Sequence, residues 1–342
     1  MKALVYAEPG TFSTKEVPKP EVTPNQVLVQ VKSCGVCKTD IHIHNGAFIS
    51  KFPLIPGHEF AGVIVDKGSE VQKLHVGQRV VCDNTVLCGH CYYCKRNEPL
   101  YCENFYSLGV NGPGGFSEYV AVNHDKVFVL PDAMSFDEAA FTEPTACAVH
   151  GLDRIQLKTG DDVLMFGAGP TGIILAQLLA QNGASNLVVA APTKFKLDIL
   201  NELGITNTVL VDRNDYSKHQ KKIQAQFPKG FDVVIDATGH MPMLEHCFQY
   251  TKKGTKVVCY GVYDESKQLE VNPYRIFEDE LQIIGSFAQT HCFDRALTYL
   301  DLKIVQVDKL ITHTFNLDDY DQALDTVLND KTHLKVMIHP GE

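Results

Sequence analysis

The chain has 342 residues, 44% of them hydrophobic, and a formal charge of −10. That length allows two domains, each large enough to bury its own core. The acidic balance and the lack of any Lys/Arg-rich run argue against nucleic acid or an anionic membrane surface as partner, and favour a small-molecule substrate.

In chain order, Met1 to Tyr6 alternates like a strand and meets Glu8-Pro9-Gly10 before a signal-peptide apolar region could develop. Export is therefore not expected, and the cytoplasm is the expected compartment. Short apolar or alternating runs follow at Gln26 to Val31, Gly62 to Asp66, Arg79 to Cys82, Phe116 to Val122 and Lys126 to Leu130. Turn residues such as Asn111-Gly112-Pro113-Gly114-Gly115 separate them, and a barrel-type β domain is expected.

Within this part lie Cys88, Cys91, Cys94 and Cys102, in the spacing C-x2-C-x2-C-x7-C. Four thiolates so close can complete a tetrahedral shell around zinc and leave no position for substrate, which predicts a structural site. An iron–sulfur cluster is the lesser alternative, because it shares four-thiolate ligation. The chain has eleven cysteines, and with no export signal the cluster points to metal rather than disulfides. Cys34, Cys82, Cys147, Cys247, Cys259, Cys292 and His44 are read as packing residues.

From about Asp161 the rhythm changes to strands alternating with helices. The candidate strands are Asp162 to Phe166, Asn186 to Ala191, Thr208 to Val211, Phe231 to Asp236, Thr255 to Tyr260 and Leu281 to Ser286. Six such strands predict a doubly wound parallel sheet. Val163 to Ala180 runs 18 residues without a charge, which is the threshold for a membrane helix. Gly167, Gly169, Pro170 and Gly172 break it, so a buried strand, a turn and a buried helix are expected instead.

That turn, Gly167-Ala168-Gly169-Pro170-Thr171-Gly172, has the G-x-G-x-x-G spacing. Such a loop allows close approach of a pyrophosphate, whose charge a helix N-terminus stabilises. An NAD site ordinarily has an acid at the end of the next strand to bind the ribose 2′-hydroxyl. Here Ala191-Pro192 stands at that place, followed by Thr193, Lys194 and Lys196, which could hold a 2′-phosphate. NADP is therefore the expected cofactor, with NAD possible. Near the end, Leu317, Tyr320, Ala323, Leu324, Val327 and Leu328 recur at helical spacing behind Asp318-Asp319, and a final strand at Leu334 to Ile338 is expected to return to the first domain.

Two further segments are Gly35-Val36-Cys37-Lys38-Thr39-Asp40-Ile41-His42 and Gly57-His58-Glu59-Phe60-Ala61-Gly62. Neither is a metal motif by itself. Together with Glu143-Pro144, the four-cysteine lobe and the nucleotide fold, they resemble the zinc-containing medium-chain dehydrogenases over essentially the whole chain. The resemblance implies a GroES-like β-barrel catalytic domain at 1–152 and 290–342, with the structural zinc lobe at 84–104. It also implies a Rossmann domain at 153–289, and so an α/β fold.

The same resemblance makes Cys37 and His58 ligands of a catalytic zinc, the second zinc of the chain. Glu59 is similar to the family's adjacent carboxylate. Glu143, where ethanol-oxidising members carry cysteine, resembles the sorbitol and arabinitol branch and binds zinc directly or through water. Thr39 is implied to hold the reacting oxygen's proton and to start a path through the cofactor ribose towards His42. The expected activity is interconversion of a sugar alcohol and its ketose by a homodimer or homotetramer. Threonine or simple secondary-alcohol oxidation and a non-catalytic NADPH-binding role are the rivals. Phe60 and the region of Phe287 are candidates to line the substrate pocket.

Overall fold

The computed structural model describes residues 1–341 except Phe48. It separates into two compact units, the first made of Met1–Ala146, Gln289–Lys303 and the chain from Val307 onward, the second of Cys147–Ala288 and Ile304–Gln306. The expected boundaries lie inside the helix Thr142–Ile155 and beside Gln289.

In the first unit a seven-stranded sheet runs in the order Ile311–Asn316, Lys335–His339, Gln26–Val36, Glu59–Lys67, Arg79–Cys82, Val127–Val129, with Tyr119–Asn123 also paired to Gln26–Val36. Every pairing is antiparallel except that of Ile311–Asn316 with Lys335–His339. The Gln26–Val36 strand is 11 residues long, so its first half pairs with Tyr119–Asn123 and its last residues pair with Val336–Ile338. Alternation along these strands sends Val27, Val29, Val31, Phe60, Ile64 and Val80 into one core, closed by Tyr320 and Leu324 of the helix Tyr320–Asn329.

Phe60 therefore does not line a substrate pocket as expected. It is one residue from Glu59, and the pleat turns it to the opposite face, into the barrel core.

The second unit is a six-stranded parallel sheet in the order Thr208–Leu210, Asn186–Ala191, Asp162–Phe166, Phe231–Asp236, Thr251–Cys259, Gln282–Gly285. Numbered along the unit this is 3-2-1-4-5-6, the doubly wound order of dinucleotide-binding folds. Its strands are apolar runs because helices cover both faces. The fifth strand starts at Thr251 rather than Thr255, with a register irregularity where Phe231 meets Thr251. The helix after the glycine-rich turn spans Pro170–Gln181 and ends at Asn182, with Gly183 at φ 107° as the left-handed cap. Among the described residues no helix is long and apolar enough to cross a membrane.

Candidate metal centres and nucleotide loop

The four-cysteine lobe leaves the barrel between Thr85–Val86 and Tyr106–Ser107, which pair with each other. Gly89, at φ +72°, turns the chain after Cys88, and the short helix Tyr92–Lys95 brings Cys94 back towards Cys91. Ligand atoms of Cys88, Cys91, Cys94 and Cys102 all lie within 4.8 Å of one another. All are free thiols, and the 4.0 Å between the Cys91 and Cys102 sulfurs is far from a disulfide bond. Backbone N–H groups aim at the sulfurs, Cys91 N at Cys88 Sγ (3.3 Å) and Cys88 N at Cys102 Sγ (3.4 Å). The His90 backbone leads the donors that bring the Cys88 thiol down to about 6. Such a closed sulfur shell suits a structural zinc.

The second cluster forms where two strands meet. The strand Gln26–Val36 runs into Cys37, the N-cap of the helix Lys38–His44, and pairs with the strand Glu59–Lys67 in the register Gly35↔Glu59. Gly57, at φ +93°, and the missing Cβ of Gly35 make room. A Cβ at Gly35 would stand 2.2 Å from Glu59 Oε2. Donor atoms of Cys37, His58 and Glu59 consequently lie within 4.8 Å of one another, with His58 and Glu59 buried. His58 Nδ1 is a buried atom without a hydrogen-bond partner, 3.9 Å from Asp40 Oδ1. Asp40 is itself tied down, because its other oxygen accepts from Cys37 N at 2.8 Å.

Burial would lower the His58 imidazole, but the hydrogen bond it donates to the Cys37 sulfur and the charges of Cys37, Asp40 and Glu143 carry it well above its ordinary value. Burial likewise leads in pushing Asp40 up to about 6. This concentration of anionic groups around a buried imidazole attracts a cation. A mixed sulfur, nitrogen and oxygen donor set suits zinc.

Glu143 sits in the first turn of the helix Thr142–Ile155, buried, and its charge acts on both His58 and Lys335. It stands outside the three-residue donor group. Thr39 Oγ1 is 3.7 Å from Cys37 Sγ. His42 lies three residues further along the same helix, on the same face as Thr39, and burial lowers its pKa. His44 is a packing residue that shares a hydrogen bond with Tyr6 Oη at 3.1 Å.

Sequence reading missed three parts of this centre: Asp40, Gly35 and Lys335. Asp40 stands three residues after an N-cap, a capping pattern that was legible. Lys335 is a lone charge in the apolar run Leu334 to Ile338, and only its partner explains it.

In the second unit Gly167 adopts φ +114°, and a Cβ there would meet the Ala237 carbonyl carbon at 2.9 Å. Gly172 packs onto Gly167 O, where a Cβ would come within 2.9 Å. Gly169 is different, for nothing lies within 4 Å of its absent Cβ. It caps the helix that Pro170 opens, with no side chain competing for the first N–H groups, including that of Thr171. Open space at a bare helix N-terminus is what a pyrophosphate requires. Ala191 ends the second strand, buried, and Thr193 caps the next helix without a side-chain hydrogen bond. The Lys194 ammonium lies 2.7 Å from both oxygens of Asp198, and Lys196 is in that helix's first turn.

Two family models match the chain, "Alcohol dehydrogenase GroES-like domain" over residues 23–132 and "Zinc-binding dehydrogenase" over residues 170–301. The chain belongs to the zinc-containing medium-chain dehydrogenases. It is 42% identical to D-arabinitol dehydrogenase 1 of Uromyces fabae, over 100% of this chain and 97% of that protein. Among solved structures it resembles a zinc-binding dehydrogenase of Sinorhizobium meliloti 1021 bound to NADP, with TM-score 0.92, 31% identity and 99% of each chain covered. It also resembles an alcohol dehydrogenase of E. coli CFT073 complexed with NADH, with TM-score 0.91, 30% identity and 99% of each chain covered. The barrel unit is thus the family's GroES-like domain, and the chain is an alcohol dehydrogenase by class.

Proposed function

We propose that this chain is a zinc-dependent polyol dehydrogenase that interconverts a secondary alcohol of a sugar alcohol, such as arabinitol, xylitol or sorbitol, with the ketose. The convergence of Cys37, His58 and Glu59, with Glu143 acting on the same imidazole, carries this reading. The full-length likeness to an arabinitol dehydrogenase supports the substrate class.

Zinc held by Cys37 and His58, with Glu59 and Glu143 binding it directly or through water, would make a hydroxyl easier to deprotonate. Cys37 and His58 present sulfur and nitrogen from rigid strand ends, and Asp40, 3.9 Å from the far imidazole nitrogen, would orient the ring on closing that gap. Thr39 would accept the hydroxyl proton of the substrate and start a path through the cofactor ribose towards His42, which lies on the same face of that helix and whose pKa burial lowers. A nicotinamide, when bound, would supply the hydride acceptor, so that one proton and one hydride would leave the alcohol as the ketone forms. Cys88, Cys91, Cys94 and Cys102 hold the second zinc, with a structural role.

NADP is the preferred cofactor on this reading. A buried alanine replaces the acid that would repel a 2′-phosphate, and Thr193 and Lys196 follow it at the start of the next helix. Lys194, paired with Asp198 at the surface, stands at the same helix start. The protein is a cytoplasmic homodimer or homotetramer. The edge strand Gln282–Gly285 exposes Ile283, and near it in sequence Phe277 is 80% exposed, a surface suited to a second copy. Steady-state rates with pentitols, hexitols, threonine and simple alcohols, each with NADP and NAD, test the proposal. The highest kcat/KM is expected with a polyol, and turnover confined to threonine or simple alcohols refutes it.

A further inference from the structure

Asp236 is a fully buried carboxylate that neither the metal clusters nor the glycine-rich turn accounts for. It ends the strand Phe231–Asp236 in the register Phe166↔Asp236, beside the residue that leads into Gly167. Its Oδ1 accepts from Thr238 N at 2.9 Å and from Thr238 Oγ1 at 2.6 Å, and its Oδ2 accepts from Tyr263 Oη at 2.7 Å. Burial raises the carboxyl above its ordinary value, and the Thr238 and Tyr263 hydroxyls oppose the rise.

These bonds shape two loops. The Thr238 hydroxyl is fully used, since it donates to Asp236 and accepts from His240 N at 3.0 Å. Its methyl Cγ2 is turned towards Gly167, 3.2 Å from where a Cβ would stand, and Ala237 N donates to Phe166 O at 2.8 Å. Tyr263 belongs to the loop after Thr251–Cys259, where the Tyr260 and Gly261 N–H groups both donate to Asp236 O, at 3.0 and 2.9 Å. The two loops touch, because a Cβ at Gly261 would stand 2.2 Å from Gly239 N. Asp236 is thus the one side chain that ties the loop beside the nucleotide turn to its neighbour.

Both loops lie at the carboxyl ends of the fourth and fifth strands in the order 3-2-1-4-5-6, across the switch point from Ala191 on the second. The adenosine ribose belongs beside the second strand, so the nicotinamide half of a dinucleotide would extend over the fourth and fifth. We propose that Asp236 and Tyr263 are positioning residues for that half, holding the wall of Ala237, Thr238 and Gly239 in its binding shape before the cofactor arrives. This rests on the dinucleotide reading of the glycine-rich turn.

Calorimetric titration with NADPH and NADH, and with ADP-ribose 2′-phosphate and ADP-ribose, which lack only the nicotinamide, separates the two ideas. Wild-type protein that binds none of these overturns the dinucleotide reading, and the proposal with it. Given binding, Tyr263→Phe removes one hydroxyl and keeps the ring. It is expected to weaken the tighter of NADPH and NADH about tenfold and to leave the matching ADP-ribose within about twofold. Thr238→Val removes the other hydroxyl on Asp236 and keeps the shape of the side chain, so the same selective loss is expected. Unchanged cofactor affinity in Tyr263→Phe overturns the proposal. An equal loss for cofactor and fragment also overturns it, because general loosening of the unit acts on both. Should Tyr263→Phe fail to fold, Thr238→Val decides by the same two criteria.

Discussion

Asp40 is the residue on which the chemistry of the centre and the stability of its loop separate most cleanly. One oxygen accepts the Cys37 N–H at 2.8 Å, and the other faces His58 Nδ1 at 3.9 Å, where neither atom has another partner. Closing that gap by about 1 Å makes a hydrogen bond. Asp40→Ala leaves the Cys37 N–H without its acceptor, which costs about 1–3 kcal/mol. A melting transition lower by a few degrees is expected, at about 2–4 °C per kcal/mol. Asp40→Asn keeps an oxygen for Cys37 N and should hold most of that stability, yet it loses the charge that orients His58. Both variants should bind zinc about 10- to 100-fold more weakly. Competition with a chromophoric chelator measures the metal, and scanning calorimetry measures the transition. Asparagine and alanine variants with wild-type zinc affinity would refute the orienting role, and equal stability losses in both would refute the capping role.

Cys94→Ser should remove one metal per chain by elemental analysis while NADPH binding, measured by fluorescence, stays intact, because the nucleotide loop belongs to the other unit. Ala191→Asp should lower the NADP/NAD ratio of kcat/KM about 10- to 100-fold, the value of one charge-assisted hydrogen bond gained or lost at the ribose; an unchanged ratio would contradict the 2′-phosphate assignment. Acid stability should depend on His246, which burial, helped by His219, holds down to about 4. A lowered histidine pKa means that the unfolded chain binds the proton first, so its contribution is complete above the ordinary value near 6.5 and is lost as pH falls towards 4. His246→Gln should flatten that part of a denaturation profile, and an identical acid limb would show that other groups govern it.

Much of the fold was legible because its signals are local. The strands Asp162–Phe166, Asn186–Ala191 and Phe231–Asp236 have the expected bounds, since buried parallel strands are continuous apolar runs ended by turn residues. The strand Gln26–Val36 is longer than expected, because Lys32, Ser33, Cys34 and Gly35 do not alternate by hydropathy, and pairing with two further strands carries the extended backbone on. The pairing of Lys194 with Asp198 one helical turn away was not legible, because such a contact is set by side-chain rotamers.

By itself the sequence determined what spacing can encode: four thiols close enough for one ion, and a glycine turn between an apolar strand and an apolar helix. Those groups are neighbours along the chain, so short-range geometry brings them together under almost any surrounding fold. Cys37, Glu59, Glu143 and Lys335 are scattered over nearly the whole chain, and their meeting depends on which strands pair and in what register. Only the tertiary structure decided that Gly35 faces Glu59, that the last strand returns beside Gln26–Val36, and that its one buried ammonium ends on a carboxylate of the metal cluster. A slip of one residue in either pairing would turn these side chains to the opposite face, which is why no reading of local pattern could have found them.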